Sequence, residues 1–163
     1  ARRTRLAVLA TLLVLANVAY CRTALGEDPV VIDGDRIRLG ATTIRLYGID
    51  APEPEQVCRR NETDWPCGRD AAAFLRRLID QKPISCEAKG KDIYGQIAAV
   101  CSIGQLDINR EMVRAGFAWA DTYYARDYED SESEAAYMRR GVWGSEAERA
   151  WIWREQQRGK RRR

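Results

Sequence analysis

The order of strand-like and helix-like segments between residues 30 and 101 constrains the fold of this chain more than any other feature. From Val30 to Tyr47, β-branched runs alternate with Gly and Asp turns, which predicts a meander of short strands. The stretch Asp70–Gln81 places apolar residues at the i, i+3, i+4, i+7 and i+8 positions of an amphipathic helix, which we expect Pro83 to end. Two more strand-like runs follow, Ile84–Ala88 and Gln96–Cys101. The pattern predicts about five strands with a helix between the third and the fourth.

The last third of the chain carries helical patterns. We expect helices over Asn109–Ala115, over Ser131–Arg140 and from Ser145 to about Gln157. Ser131 and Ser145 are each followed three residues later by Glu, which is the spacing of a capping box. This order of elements predicts an α+β protein with three to four helices on a five-stranded OB-fold β-barrel, a scaffold that binds oligonucleotides and oligosaccharides.

The two ends of the chain differ from its body. Residues 1–26 combine three early Arg with a largely apolar run and small residues before an acidic stretch, which predicts a signal peptide cleaved before Glu27. An uncleaved N-terminal anchor is the open alternative. Residues 27–153 would form the folded domain, and residues 154–163 a basic tail whose last part, Arg158–Arg163, we expect to fray.

The cysteines predict two disulfide bonds. Cleavage of the signal would remove Cys21 and leave an even number, Cys58, Cys67, Cys86 and Cys101, in an exported chain. Three pairings are possible, and we predict 58 with 67, which bracket one loop, and 86 with 101, which lie in two strands joined by a turn. A thiolate metal site is disfavoured because close Cys-x-x-Cys pairs are absent.

Composition limits the chemistry. The chain has no His, which excludes an imidazole base, a Ser/His/Asp triad and zinc sites that use His. The formal net charge is +3, but residues 27–153 hold 17 basic and 23 acidic residues. Because a protein that coats nucleic acid non-specifically is expected to be basic across its binding face, the acidic body argues against that class. Any catalysis must use carboxylates, guanidinium groups, hydroxyls or a metal.

Four residues around one strand suggest a site. Asp35 lies in an acidic turn, Arg45 projects from the following strand, and Asp50 and Glu53 lie where that strand ends. Taken alone, the Asp-Gly-Asp turn needs no function, since these residues favour turns for backbone reasons. Taken together, the carboxylates can hold a hard cation such as Ca²⁺, and the guanidinium can bind a phosphate.

These residues lie in segments that resemble the staphylococcal nuclease (thermonuclease) family. The four segments that carry the resemblance are Val31–Asp35, Ile44–Glu53, Asp92–Gly95 and Asn109–Ala118. The resemblance covers roughly residues 30–143. It implies a Ca²⁺-dependent phosphodiesterase, built on an OB-fold, that cuts single-stranded or frayed DNA and RNA.

The resemblance also implies residue roles. Asp35 and Asp50 would ligate Ca²⁺ together with the carbonyl oxygen of Ala51. Glu53 would act as the general base or position the attacking water, and Arg45 would hold the phosphate as negative charge builds up. These roles agree with general chemistry, since a cation and an Arg stabilise the charge of a phosphodiester under attack.

Three positions on the other side of the site complete the comparison. Tyr94 and Tyr124 fall where the family places tyrosines that contact nucleotides, although a packing role for Tyr124 is equally open. A second phosphate-binding Arg of the family corresponds to Gln96 here. Loss of one preorganised donor typically costs about 3 to 4 kcal/mol, roughly a hundred- to a thousandfold in rate. Arg59 or Arg60, in the loop after Glu53, is a candidate replacement.

Two functions stay open at this point. The first is an exported Ca²⁺-dependent nuclease, secreted or periplasmic, that acts as a monomer on single-stranded DNA or RNA; no protein partner is indicated. The second is a non-catalytic barrel that binds nucleic acid or an anionic polysaccharide. Glu53 discriminates between them, because a pure binding module has no chemical need for it. Either protein could also be tethered to a membrane by the N-terminal segment.

Overall fold

The computed structural model describes residues 28–162, so the predicted signal peptide lies outside the described residues. The described elements, in chain order, are β1 (Val30–Val31), β2 (Arg36–Leu39), β3 (Thr42–Leu46), β4 (Ile49–Asp50), β5 (Cys58–Arg60), β6 (Thr63–Trp65), α1 (Cys67–Ile79), β7 (Ser85–Lys91), β8 (Ile97–Ile103), β9 (Leu106–Asp107), α2 (Ile108–Arg114), β10 (Trp119–Ala120), α3 (Glu129–Tyr137), a 3₁₀ turn (Gly141–Gly144) and α4 (Ala150–Arg161).

The main sheet has the strand order of an OB-fold. Its strands follow the path β1-β2-β3-β8-β7, with β3 and β8 parallel and the other neighbours on this path antiparallel. Among the strands of this path, counted along the chain, these are the first, second, third, fifth and fourth, and α1 lies between the third and the fourth. The predicted α+β fold on an OB-type barrel is therefore confirmed.

The core lies between the inner face of this sheet and helices α1 and α2. It is built from fully buried aliphatic side chains of β2, β3, α1 and α2, among them Ile37, Leu46, Leu75, Ile108 and Met112. The apolar spacing of α1 explains this placement, since one face of the helix carries its buried residues. The packed sheet thus supports the residues that point away from the core.

The helix boundaries correct several predictions. Helix α2 agrees with its prediction within one residue at each end, whereas α1 begins at Cys67 and ends at Ile79. Helix α3 begins at Glu129, and Ser131 receives a hydrogen bond from Arg110 instead of capping the helix. The capping boxes predicted at Ser131 and Ser145 are therefore wrong.

The last helix differs most from its prediction. Helix α4 begins at Ala150 because the preceding segment is used in a backbone bridge between Glu146 and Arg59. It continues through Arg161, so Arg158–Arg161 extend the helix. Most of the predicted basic tail belongs to this helix.

Two disulfide bonds join the predicted pairs. Cys58 bonds Cys67 across the β5–β6 hairpin, which the sequence analysis missed, and Cys86 bonds Cys101 between β7 and β8. A second buried cluster, which contains the first disulfide, Trp119 and Ala150, holds the start of α4 against the hairpin. None of the helices in residues 28–162 is long and apolar enough to cross a membrane.

Candidate active site

A cleft of about 820 Å³ opens beside strands β2 and β3. Its lining includes the predicted Asp35, Arg45 and Glu53 on one side and the turn between β7 and β8 on the other. Helix α4 contributes Trp151, Arg154, Glu155 and Arg158. We call the group Asp35, Arg45, Asp50 and Glu53 the carboxylate wall, and the turn Asp92–Gln96 the turn wall.

Strand register brings the carboxylate wall together. Arg45 in β3 pairs with Arg36 at the start of β2, which places the preceding Asp35 next to the Arg45 side chain. Strand β4 pairs with β10, with Asp50 opposite Trp119, and thereby fixes Asp50 beyond the end of β3. The neighbouring Arg36 forms its own ion pair with the buried Asp33. The two adjacent guanidinium groups are therefore each matched by acidic groups.

Arg45 joins the two predicted cation ligands. Its Nη2 lies 3.3 Å from Asp35 Oδ2 and 3.0 Å from Asp50 Oδ1. Both carboxylates are buried, with 8% and 9% of their side chains exposed. Burial lowers the pKa of Arg45, but attraction to Asp35 and Asp50 outweighs it and raises the pKa above the ordinary value. Arg45 therefore stays charged.

The positive charge near Asp35 does not compensate for the burial of its carboxylate. Burial raises its pKa to about 8, with Arg45 lowering it and the neighbouring Asp33 and Asp50 raising it further. Its Oδ2 also accepts a hydrogen bond of 3.2 Å from the backbone N–H of Ala51. A cation placed between Asp35 and Asp50 would relieve this energetic cost.

The donor set fits a hard cation only in part. Asp35 and Asp50 converge on one Arg45 nitrogen and offer oxygen atoms alone, which suits Ca²⁺. Within residues 28–162, no group of three or more acidic or Cys side chains is arranged to hold a metal ion. Backbone carbonyls such as that of Ala51, and water, would have to complete the coordination.

A glycine allows the loop to pack behind the acidic turn. A Cβ on Gly34 would lie 2.7 Å from the Cβ of Ala51 and 2.9 Å from that of Ala71 in α1. Only a residue without a side chain lets Asp35, the Ala51 loop and the helix approach this closely. The Gly of the Asp-Gly-Asp motif therefore has a packing role beyond forming a turn.

Glu53 occupies a fixed position in the loop after β4. Its backbone N–H donates to Gln56 Oε1 at 3.2 Å, and its carbonyl accepts from the N–H of Gln56 at 2.8 Å. A Cβ on Gly68 would lie 1.7 Å from the Glu53 carbonyl oxygen, so the start of α1 packs directly against this loop. The buried Gln56 and the Cys58–Cys67 disulfide therefore support Glu53 from behind.

The turn wall is more exposed. Asp92 Oδ1 accepts hydrogen bonds from the backbone N–H groups of Tyr94 and Gln96, which closes the turn. Tyr94 is 65% exposed and Ile93 76% exposed. The Gln96 side chain lines the cleft, and its buried Oε1 has no hydrogen-bond partner. The predicted second phosphate-binding position thus holds a neutral, unsatisfied amide.

Tyr124 lines the same cleft from a third direction. It follows Asp121, and its carbonyl accepts a hydrogen bond of 2.7 Å from the hydroxyl of Tyr47. The side chain is 48% exposed, so it is free to contact a ligand. Burial, followed by the charge of Asp50, raises the pKa of Asp121. Asp121 is a further acid at the site that the sequence analysis missed.

The largest omission of the sequence analysis is Arg154. Its Nη1 lies 3.0 Å from Asp50 Oδ1 and 2.7 Å from Glu53 Oε1, and its Nη2 lies 3.2 Å from Asp50 Oδ2. Burial lowers the pKa of Arg154, but hydrogen bonds and attraction to the two carboxylates raise it well above the ordinary value. In the sequence, the available signal for Arg154 was its position three residues after Trp151, which places the two side chains on one face of a helix.

The predicted replacement from the β5 loop is wrong. The guanidinium of Arg60 stacks on Trp65 at 3.7 Å and donates to the carbonyl of Gly141. Arg59 forms the backbone bridge to Glu146, and neither residue lines the cleft. The Cys58–Cys67 bridge holds this hairpin behind Glu53 and directs its arginines elsewhere.

The fold and the cleft define a class of protein, an OB-fold protein with the acidic and cationic groups of a nuclease. The family described as staphylococcal nuclease homologue matches residues 43–145. The chain belongs to this family.

Named relatives agree with this assignment. The chain is 34% identical to an uncharacterized endonuclease of Escherichia coli, over 82% of this chain and 87% of the relative. It is 30% identical to a micrococcal nuclease of Shigella flexneri, over 91% of this chain and 90% of the relative. It is also 32% identical to the succinoglycan biosynthesis protein ExoI of Rhizobium meliloti, over 91% of this chain and 79% of the relative. Similarity over most of both chains supports a nuclease-type protein.

Proposed function

We propose that this protein is a Ca²⁺-dependent phosphodiesterase that cleaves single-stranded or frayed nucleic acid. One observation carries the proposal: the buried Asp35 and Asp50 converge on Arg45, and Asp35, Arg45 and Glu53 line the same cleft. A surface that only binds nucleic acid gains nothing from burying two carboxylates, because they repel phosphate. The same groups are useful when a cation and a water have to be positioned.

The residues of the chain divide the work of hydrolysis. Asp35, Asp50 and the Ala51 carbonyl would hold Ca²⁺, which supplies Lewis-acid stabilisation of the phosphate oxygens. Glu53 accepts the proton of the attacking water, and its fixed loop keeps the carboxylate aimed into the cleft. Arg45, charged and preorganised by the barrel, donates to the phosphate as negative charge accumulates.

The opposite side of the cleft suits bases that are not paired. Tyr94 and Tyr124 expose ring surface to the cleft, and such rings stack on the bases of single strands. Base stacking of this kind tolerates any sequence, so we propose DNA and RNA single strands as substrates. The protein would work as a monomer.

Two disulfides support an exported enzyme. Such bonds persist in oxidising compartments, which include the periplasm and the extracellular space. We propose that the protein acts in one of these locations, with Ca²⁺ drawn from that medium.

Hydrolysis of single-stranded DNA by wild type and Glu53→Gln tests the proposal. In Ca²⁺, we expect the variant to lose at least a hundredfold in kcat, because general-base catalysis contributes about 10²–10⁴-fold. Glu55→Gln is the matched control, since Glu55 is an exposed carboxylate two residues away that does not line the cleft. Equal loss in both variants, or equal activity of Glu53→Gln and wild type, would contradict the assignment of Glu53.

A second candidate is a non-catalytic module that binds an anionic polysaccharide. The neutral Gln96 and the relative named for succinoglycan biosynthesis favour it. Under this alternative, folded wild type cleaves no nucleic acid, and Glu53→Ala leaves polysaccharide affinity nearly unchanged.

A further inference from the structure

We propose that Arg154 supplies the second phosphate-binding guanidinium of this site, from helix α4 instead of from the turn between β7 and β8. The proposal rests on the proposed hydrolysis of phosphodiesters and names a residue that would contact the substrate. It gives α4, the element the sequence analysis treated in part as a basic tail, a direct place in the active site.

The position of α4 is set by contacts before the helix begins. Glu146 and Arg59 exchange two backbone hydrogen bonds of 2.7 and 3.1 Å, and Gln56 Nε2 donates to the carbonyl of Glu148 at 2.8 Å. Ala150, the first residue of the helix, is fully buried. Arg154 follows one turn later, so its backbone is anchored to the same Gln56 that fixes the Glu53 loop.

Arg154 and Arg45 already share one anionic oxygen. Asp50 Oδ1 lies 3.0 Å from Arg45 Nη2 and 3.0 Å from Arg154 Nη1. Two guanidinium groups that reach the same carboxylate oxygen lie close enough together to donate to the same phosphate group. A cation bound to Asp50 would compete for that carboxylate and leave donors of both arginines directed at the cleft. Forked donors of this kind are well suited to phosphate.

The charge balance favours this role. Asp35, Asp50 and Glu53 oppose the guanidinium groups of Arg45 and Arg154, so these five groups carry one net negative charge when all of them are ionised. With a divalent cation bound, these five groups and the cation together carry one net positive charge, opposite in sign to a phosphodiester. Without Arg154, the remaining four groups and the cation would together carry no net charge.

The turn wall carries no cation of its own, and the cations beside it are the flexible Lys89 and Lys91 of β7, which lack the forked donors of a guanidinium. Gln96 contributes no cation, and its Oε1 is an unpaired buried acceptor. Across the cleft, Arg158 Nη2 reaches within 3.5 Å of the Tyr94 hydroxyl, so α4 faces the turn wall directly. The guanidinium that the turn does not supply is therefore available from the helix on the facing side.

The test compares Arg154→Ala, Arg154→Lys and the double variant Arg154→Ala/Gln96→Arg with wild type. Lys160→Ala is the matched control, because Lys160 is an exposed cation of the same helix outside the cleft. We expect Arg154→Ala to lose a hundred- to a thousandfold in kcat on single-stranded DNA, Arg154→Lys to lose less, and Gln96→Arg to restore at least tenfold in the Arg154→Ala background.

Binding supplies a readout independent of turnover. Titration of deoxythymidine 5′-monophosphate, which carries a phosphate and no diester bond, should show weaker affinity in Arg154→Ala at saturating Ca²⁺. Calorimetry should show that Ca²⁺ affinity is unchanged or higher, since the variant removes a cation that contacts Asp50. Circular dichroism of Arg154→Ala and Arg154→Lys establishes that α4 is retained.

The outcomes separate the two proposals. If wild type cleaves DNA and Arg154→Ala has an unchanged or faster kcat, the proposed role of Arg154 is overturned. Arg154 would then be a competitor of Ca²⁺ for Asp50. An inactive wild type would overturn the proposed hydrolysis, and the monophosphate titration would then decide by itself whether Arg154 binds phosphate.

Discussion

The two walls of the cleft differ in how firmly their groups are held. On the carboxylate wall, Asp35 and Asp50 are buried and joined through Arg45, and the Glu53 loop packs against α1. On the turn wall, Tyr94 is exposed and Gln96 leaves an acceptor unpaired. The charged groups that pair with one another are therefore held on the barrel side, whereas the turn wall itself carries no cation and faces the cations of α4 across the cleft.

The largest effect should follow from breaking the carboxylate wall at its centre. Arg45→Ala removes a phosphate donor and also the shared partner of Asp35 and Asp50. We expect kcat on single-stranded DNA to fall by about a thousandfold or more, since one lost donor alone costs a hundred- to a thousandfold. Arg38→Ala, an exposed Arg of the neighbouring strand β2, should keep wild-type kcat. Similar kcat values for the two variants would contradict the account.

The disulfides offer a paired comparison, since one lies behind Glu53 and the other lies away from both walls. Replacing both cysteines of either bridge by Ala should lower the free energy of unfolding by about 2–4 kcal/mol. Cys58–Cys67 contacts Gln56 behind Glu53, whereas Cys86–Cys101 joins β7 and β8 away from the turn.

Only loss of the first bridge should therefore reduce kcat in the folded variant. Urea unfolding followed by turnover at 15 °C measures both quantities. Equal kcat in the two disulfide variants would contradict the proposal that the hairpin supports Glu53.

The burial of Asp35 predicts that the free energy of unfolding depends on pH. Its pKa is raised to about 8 by burial in the folded state, against an ordinary value of 3.8, so the folded state holds the proton more tightly. Stability is therefore lost as pH rises from about 4 to about 8 and then levels off. In chelator, Asp35→Asn should be more stable than wild type by about 1–3 kcal/mol at pH 9 and by much less at pH 5.

Asp28→Asn is the control for this measurement, because Asp28 is exposed. Thermal unfolding at the two pH values measures the difference. An Asp35→Asn effect of the same size at pH 5 and pH 9 would show that the charge of Asp35 is not the cause.

The smallest effect should come from restoring charge on the turn wall. Gln96→Arg in the wild-type background should raise kcat by no more than about tenfold, because Arg154 already places a guanidinium in the cleft. A gain of a hundredfold or more, as expected for a site that lacks one donor altogether, would mean that the helix does not compensate.

The sequence predicted the parts of this molecule whose chemistry is local. Alternation of β-branched residues and turns located β2, β3, β7 and β8, and the short motif around Arg45, Asp50 and Glu53 located the carboxylate wall. Pairing of cysteines across one loop and one hairpin was equally readable, because each partner lies close along the chain.

Long-range contacts were not readable in the same way. Arg154 lies 104 residues from Asp50, and its position depends on the bridge between Glu146 and Arg59. Because of that bridge, α4 begins at Ala150 and not at the predicted Ser145. Helix propensity alone gave no reason for this later start. The contacts that place α4 are tertiary and leave no local pattern in the sequence. The basic end was therefore predicted to be a tail, although most of it belongs to the helix.

The most direct test of the account is a Ca²⁺ titration of single-stranded DNA hydrolysis by wild type and Asp50→Asn. We predict that wild-type turnover rises with Ca²⁺ and is abolished by chelator. We also predict that Asp50→Asn needs at least ten times more Ca²⁺ for half-maximal turnover, because the variant removes a charged ligand. Turnover that persists in chelator, or an identical Ca²⁺ dependence in the two proteins, would contradict the central claim that the carboxylate wall binds the catalytic cation.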